Sequence, residues 1–172
     1  MSFEMEAFLR EITSGLPDAE QLARVIVRLT FAATLGAVVG IQRERAGKPA
    51  GVRTHMLVAM GSTLFVIAAL DFGMTTSDMS RVIQGVAAGI GFIGGGAILK
   101  MREEREIEGI TTAAGIWLTA AVGVAIGLGR WGSALIGIVL ALIILSIVGQ
   151  IGKRIGNSQE SGMAPDTETE AE

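Results

Sequence analysis

Cysteine and tyrosine are missing from this 172-residue chain, histidine occurs once and proline three times. Without cysteine there is no disulfide scaffold, no thiolate metal site and no sulfur nucleophile. A single imidazole, no phosphate-binding glycine loop and no acid inside any apolar stretch leave no constellation that supports catalysis or holds a cofactor. The most informative absence concerns negative charge. The chain has 17 acidic residues, and none of them falls within 22–41, 54–70, 82–99, 111–128 or 133–151.

Those five stretches are apolar, 17 to 20 residues long, and separated by short charged connections. Each is near the roughly 20 residues with which a helix crosses the hydrocarbon of a bilayer. Helices of a soluble bundle would carry a polar face, and these carry almost none. The fold class expected is therefore all-α, an integral membrane bundle of five transmembrane helices spanning 22–151. With 50% hydrophobic residues in 172 there is no room for a sizeable soluble domain beside it. The lipid bilayer is its first partner. A basic face suited to nucleic acid is absent.

Lys and Arg are retained on the cytoplasmic side during insertion, which orients the bundle. Arg43, Arg45, Lys48, Arg53, Lys100, Arg102, Arg105, Lys153 and Arg154 share one side; Arg10, Arg24, Arg28, Arg81 and Arg130 share the other. The count of nine against five places the N-terminus outside and the C-terminus in the cytoplasm. Within 1–21, Met5, Phe8, Leu9, Ile12 and Leu16 repeat at helical spacing, as in an amphipathic helix lying on the outer surface. The start carries no basic region followed by an apolar run and cleavage site, so it does not read as a signal peptide. Asp18 and Gln21 have the spacing of a capping box at the start of the first span. The segment 152–172 is polar and acidic, and is expected to be disordered.

Inside the bundle, Arg24, Arg28, Ala32, Gly36, Gly40 and Glu44 form one ridge on the first span. Gly36 and Gly40 are a small-xxx-small pair that lets backbones approach, as a contact line within the chain or as a seam between copies of a homo-oligomer. Arg28 lies about two turns inside the helix and needs a partner if it is not to face lipid. Asp71 at a similar depth is the expected ion-pair partner and Gln84 the second candidate; otherwise Arg28 extends to the headgroups. Gly85, Gly89, Gly91, Gly94, Gly95 and Gly96 crowd the third span, which places it centrally, approached by several neighbours. Gly94 to Gly96 could alternatively unwind to expose backbone in a cavity. His55 reads as a structural hydrogen-bonding group, Thr111 and Thr112 as the start of the fourth span with Trp117 inside it, and Trp131 as an interfacial indole. Magnesium prefers carboxylate oxygens, and no span supplies one, so no metal ligand is assigned.

Three motifs occur in order: GAVVGIQRERAGKPAGVRTHMLVAMGS at 36–62, GIGFIGGGAIL at 89–99 and GITTAAGIWLTAAVGVAIGLG at 109–129. Together they resemble the membrane domain of the MgtC/SapB family over 22–151. The matching positions are Gly36, Gly40, Glu44, Arg45, Gly51, Arg53, Thr54 and His55, then Gly89, Gly91, Gly94 and Gly96, then Gly109, Thr111, Thr112 and Trp117. Arg43 adjoins them in the cytoplasmic motif. The resemblance implies a bacterial inner-membrane protein, linked in some members to low magnesium and to survival inside host cells. It also implies a non-enzymatic accessory or regulatory role through partner membrane proteins, such as a transport ATPase or the F-type ATP synthase. The competing expectation is a transporter or channel for a divalent cation or other small solute, formed by the bundle or its oligomer. Virulence-associated members carry a soluble C-terminal domain where this chain has a short acidic segment, so the membrane core is what the resemblance transfers.

Overall fold

A computed structural model describes residues 3–14, 17–99 and 109–148. They form six α-helices: α1 (Phe3–Ser14), α2 (Ala19–Arg45), α3 (Val52–Asp71), α4 (Thr76–Leu99), α5 (Ile110–Gly127) and α6 (Trp131–Ile143), with a π-helical turn, Ile144–Val148, continuing α6. Four of them, α2 to α5, are long and apolar enough to cross a membrane, and the apolar run of α6, Trp131–Ser146, is shorter. The expected 152–172 segment lies outside the described residues.

Local chemistry sets the helix ends. Asp18 Oδ1 accepts from the Gln21 amide at 2.7 Å while Gln21 Oε1 accepts from the Asp18 amide at 3.2 Å, so the predicted capping box starts α2. At 27 residues, α2 is about 40 Å long and projects beyond a hydrocarbon layer of roughly 30 Å. At the ends of α3 and α5 the chain turns through Gly73 (φ 67°) and Gly129 (φ 73°). There Met74 N donates to Ala69 O and Arg130 N to Ala125 O. This is the left-handed glycine closure that satisfies carbonyls a helix end leaves open.

The hub is α5. Half of its most apolar window is buried, against 6% for α4. It packs on α2, α3, α4 and α6, with α2 also lying along α3. Its largest core joins Leu35 and Val39 of α2, Ala59 of α3, Val122 and Ile126 of α5, and Ile138 of α6. Small residues make these approaches possible. A Cβ on Gly36 would meet the His55 carbonyl and one on Gly40 the Val52 backbone, so the glycine ridge of α2 lies against α3. Gly123 sits equally close to the Ala59 carbonyl, and Gly127 to Val66.

The expectation for α4 is corrected. It is one unbroken helix through Gly94–Gly96, and it is peripheral, packing chiefly on α5. Gly85, Gly89, Gly91, Gly95 and Gly96 have open space where a Cβ would stand; Gly94 alone of the six approaches a neighbour, Ala113. Glycine count reports how closely a helix can be approached, and says nothing of whether its own chain does so.

Outside the core the surface is apolar: Phe92 is 87% exposed, and Leu57, Phe65 and Ile136 also point outward. Each such side chain would cost about 1.5–3 kcal/mol in water relative to burial, and against lipid tails it costs nothing. The bundle is that of a membrane protein.

Gly123→Ala is expected to destabilise by about 1–3 kcal/mol, because its methyl would fall on the Ala59 carbonyl and on Ser62 Cβ, neither of which can swing aside. Gly89→Ala should be neutral or stabilising by up to about 1 kcal/mol, since Ala is the better helix former. Unfolding of both variants in detergent with increasing SDS would check the contrast.

Candidate functional site

All the fully buried polar side chains of the described residues lie on α2, α3 and α5: Arg43, His55, Ser62, Thr63, Thr112 and Thr119. They form a polar seam down the middle of the bundle. Thr63 Oγ1 donates to the Gly123 carbonyl at 2.8 Å, tying α3 to α5 where the glycine brings the two backbones together. One helical turn and more along α5, Thr119 Oγ1 lies 2.8 Å from His55 Nδ1 and donates to the Gly115 carbonyl, also at 2.8 Å. The imidazole tautomer decides which of the two groups donates in the His55–Thr119 bond. Nε2 has no hydrogen-bond partner although His55 is 0% exposed. The nearby Ala50 carbonyl belongs to the one described non-glycine residue at positive φ, 60°.

Arg43, 4% exposed, donates from its guanidinium to Thr112 Oγ1, while its Nε remains without a partner. It is the nearest charge acting on His55. The core of the motif region thus holds a buried guanidinium and an imidazole, both facing hydroxyls, with no carboxylate among the described residues bonded to either. No group of three or more His, Cys, Asp or Glu that could hold a metal occurs among the described residues.

Geometry explains several motif residues one by one. Gly51, at the N-cap of α3, offers no side chain to cap it. Glu44 does so from α2: its Oε1 accepts from the Val52 amide at 3.0 Å. A Cβ on Gly51 would fall on that carboxylate. Glu44, Gly51, Gly40 and Gly36 therefore act as one device that docks the start of α3 on the end of α2. Arg45, Arg53 and Thr111 are exposed, Thr54 is half-buried, and Trp117 points outward at 52% exposure. Trp131 is half-buried, its ring edge-on to Phe31 at 5.0 Å.

The expected Arg28–Asp71 ion pair is not formed. Arg28 Nη1 donates instead to the Gly127 carbonyl at 2.7 Å. Gly127 is the last residue of α5, so this carbonyl belongs to the set a helix leaves unpaired at its C-terminus. The guanidinium caps it and meets the negative end of the helix dipole. Arg28 needed a partner, and the partner is a helix end in place of a carboxylate. Thr63, Thr119, Gly115, Gly123 and Gly127 were not singled out from sequence. Their signal is the run Thr112, Gly115, Thr119, Gly123, Gly127, small or hydroxylated residues at intervals of three or four on one face of α5.

Thr112→Val should destabilise by about 1–3 kcal/mol, the cost of leaving a buried donor of Arg43 unpaired. Thr112→Ser should remain near wild type, and Thr111→Val, on an exposed neighbour, within about 0.5 kcal/mol. Thermal melting of the three detergent-solubilised variants separates the outcomes.

A model of the MgtC family matches residues 29–154. The chain is 44% identical to Protein SrpB of Synechococcus elongatus over 142 residues, 76% of this chain and 78% of that protein. It is 40% identical to the Putative magnesium transporter YhiD of Escherichia coli, covering 78% of this chain and 65% of that one. It is 36% identical to Protein MgtC of Salmonella typhi, over 81% of this chain and 58% of MgtC. It therefore spans somewhat less than two thirds of YhiD and MgtC. No solved structure matches significantly. With the family model covering most of its length and all the helices of the polar seam, the chain belongs to the MgtC family.

Proposed function

We propose that this protein is a non-enzymatic accessory or regulator in magnesium-related homeostasis, acting through contacts with partner membrane proteins. The observation that supports it is the outward face of α4. Gly85, Gly89 and Gly96 lie there open beside the protruding Phe92, on a continuous helix that the rest of the bundle leaves mostly uncovered. In lipid such a face associates by backbone approach and shape, which suits a second helix from another chain. A second copy, a transport ATPase or the ATP synthase are the partners we propose. The topology we propose has α6 as a fifth span, with α1 on the outer surface, the N-terminus outside and the C-terminus in the cytoplasm of a bacterial inner membrane.

The alternative is a magnesium or other cation transporter, a reading favoured by the name that YhiD carries, putative magnesium transporter. The interior weighs against it: a divalent ion moving along the α2–α3–α5 seam passes the buried guanidinium of Arg43, a like charge in low dielectric.

The chain lacks cysteine, so Phe92→Cys is a single-site crosslinking probe. In native membranes it is expected to yield a discrete adduct with another membrane protein or a second copy, and a cysteine at Leu57, on α3, is expected to yield little. Purified protein in liposomes should give no Mg²⁺ flux above empty vesicles. A saturable Mg²⁺ flux from the wild-type protein would select the transport reading.

A further inference from the structure

A cleft of about 180 Å³ opens between α2 and α3, at the end of the bundle where α2 begins. Arg24 and Arg28 line one wall and Asp71 the other, over a floor of Val25, Ile67 and Leu70. The spacing that makes this wall is simple: Arg24, Val25 and Arg28 share one face of α2, as Ile67, Leu70 and Asp71 share one face of α3. The space is worth about six water molecules at roughly 30 Å³ each. That suits a small polar group and is too little for a drug-sized ligand, whose sites begin near 300 Å³.

The charges in the cleft are incompletely matched. Arg24 bonds Glu20 at 3.0 Å, a pair one turn apart on an exposed surface. Arg28 satisfies one donor on the Gly127 carbonyl, yet its Nε is shielded from solvent and has no partner. Asp71 makes no ion pair with either guanidinium. The arrangement is therefore two cations near the start of α2, opposite a carboxylate at the end of α3 that pairs with neither.

We infer that this cleft binds the headgroup of a zwitterionic phospholipid carrying a primary ammonium, of the phosphatidylethanolamine class, with its phosphate between Arg24 and Arg28 and its ammonium on Asp71. Phosphate oxygens accept from guanidinium donors in charge-assisted bonds, and the side chains of Arg24 and Arg28 both line the cleft. The ammonium supplies the partner that Asp71 lacks. The apolar side chains of Val25, Ile67 and Leu70 receive the glycerol and upper acyl carbons. A purely anionic headgroup satisfies the guanidinia and leaves Asp71 facing negative charge, so Asp71 is the selectivity element. The inference needs only that α2 and α3 cross the bilayer, and is independent of the accessory role.

Native mass spectrometry of the detergent-purified full chain, titrated with dioleoyl phosphatidylethanolamine or dioleoyl phosphatidylglycerol, tests it. The wild type should retain one phosphatidylethanolamine at about tenfold lower concentration than phosphatidylglycerol, the size of one charged hydrogen bond. Asp71→Asn, which removes an exposed and unbonded carboxylate, should fold normally and lose that preference. Arg28→Gln should weaken retention of both lipids by about tenfold or more. Because Arg28 also caps α5, Arg24→Gln serves as a second variant that spares the cap and should weaken both as well. Equal or stronger retention of phosphatidylglycerol by the wild type, or a preference that survives Asp71→Asn, overturns the proposal. So does stabilisation by soluble phosphoethanolamine without any lipid adduct, which would assign the cleft to a free metabolite.

Discussion

The contact between α3 and α5 is the one on which the remainder of this bundle depends. In lipid there is no gain from hiding apolar side chains from water, so helices hold together by close packing and by polar bonds across the contact. Gly123 and Gly127 bring α5 against Ala59 and Val66 of α3. Only at that separation can a threonine hydroxyl on α3 reach a carbonyl on α5, as Thr63 does at Gly123. The same spacing sets His55 against Thr119. Close approach thus comes first, and the polar seam is its consequence.

From this pairing the other helices take their places. α2 docks along α3 because Gly36 and Gly40 admit the His55 and Val52 backbone, and that docking carries Arg43 inward to Thr112. It also brings Arg28 to the far end of α5, where an unpaired carbonyl waits. The packed face of α2 therefore delivers two guanidinia to opposite ends of the same central helix. One meets the carbonyl end, where the dipole favours a cation; the other meets the N-terminal turn, where it does not. Arg43 is held there by burial and by Thr112, which makes its place the costlier of the two.

How far the sequence could be read follows from the range of each interaction. The long apolar stretches without acids were legible because the bilayer imposes a length on every span separately. The Asp18–Gln21 box was legible because it is complete within four residues. The glycine pair of α2 was legible as a contact line, though the sequence left open whether the contact lay within the chain. Arg28 shows the limit. Its need for a partner could be seen, but a search among side chains finds Asp71, whereas the carbonyl of Gly127 becomes an acceptor only once α5 ends beside it. The glycines of α4 misled for the opposite reason: composition shows that a helix can be approached, and the direction from which it is approached is a tertiary fact.

The motif residues divide along the same line. Gly36, Gly40, Glu44, Gly51, His55 and Thr112 each have a neighbour in the fold that accounts for their chemistry: a backbone in contact, an amide capped, a hydroxyl bonded. Arg45, Arg53, Thr111 and Trp117 have exposed side chains, and the docking of α2, α3 and α5 does not need them. Substitutions in the first group act on the bundle itself, so a loss of function there says little about mechanism unless folded yield is preserved. The second group and the open face of α4 can be altered with the bundle intact. What this protein does is therefore to be sought on its surface, while the buried cationic seam keeps that surface in shape.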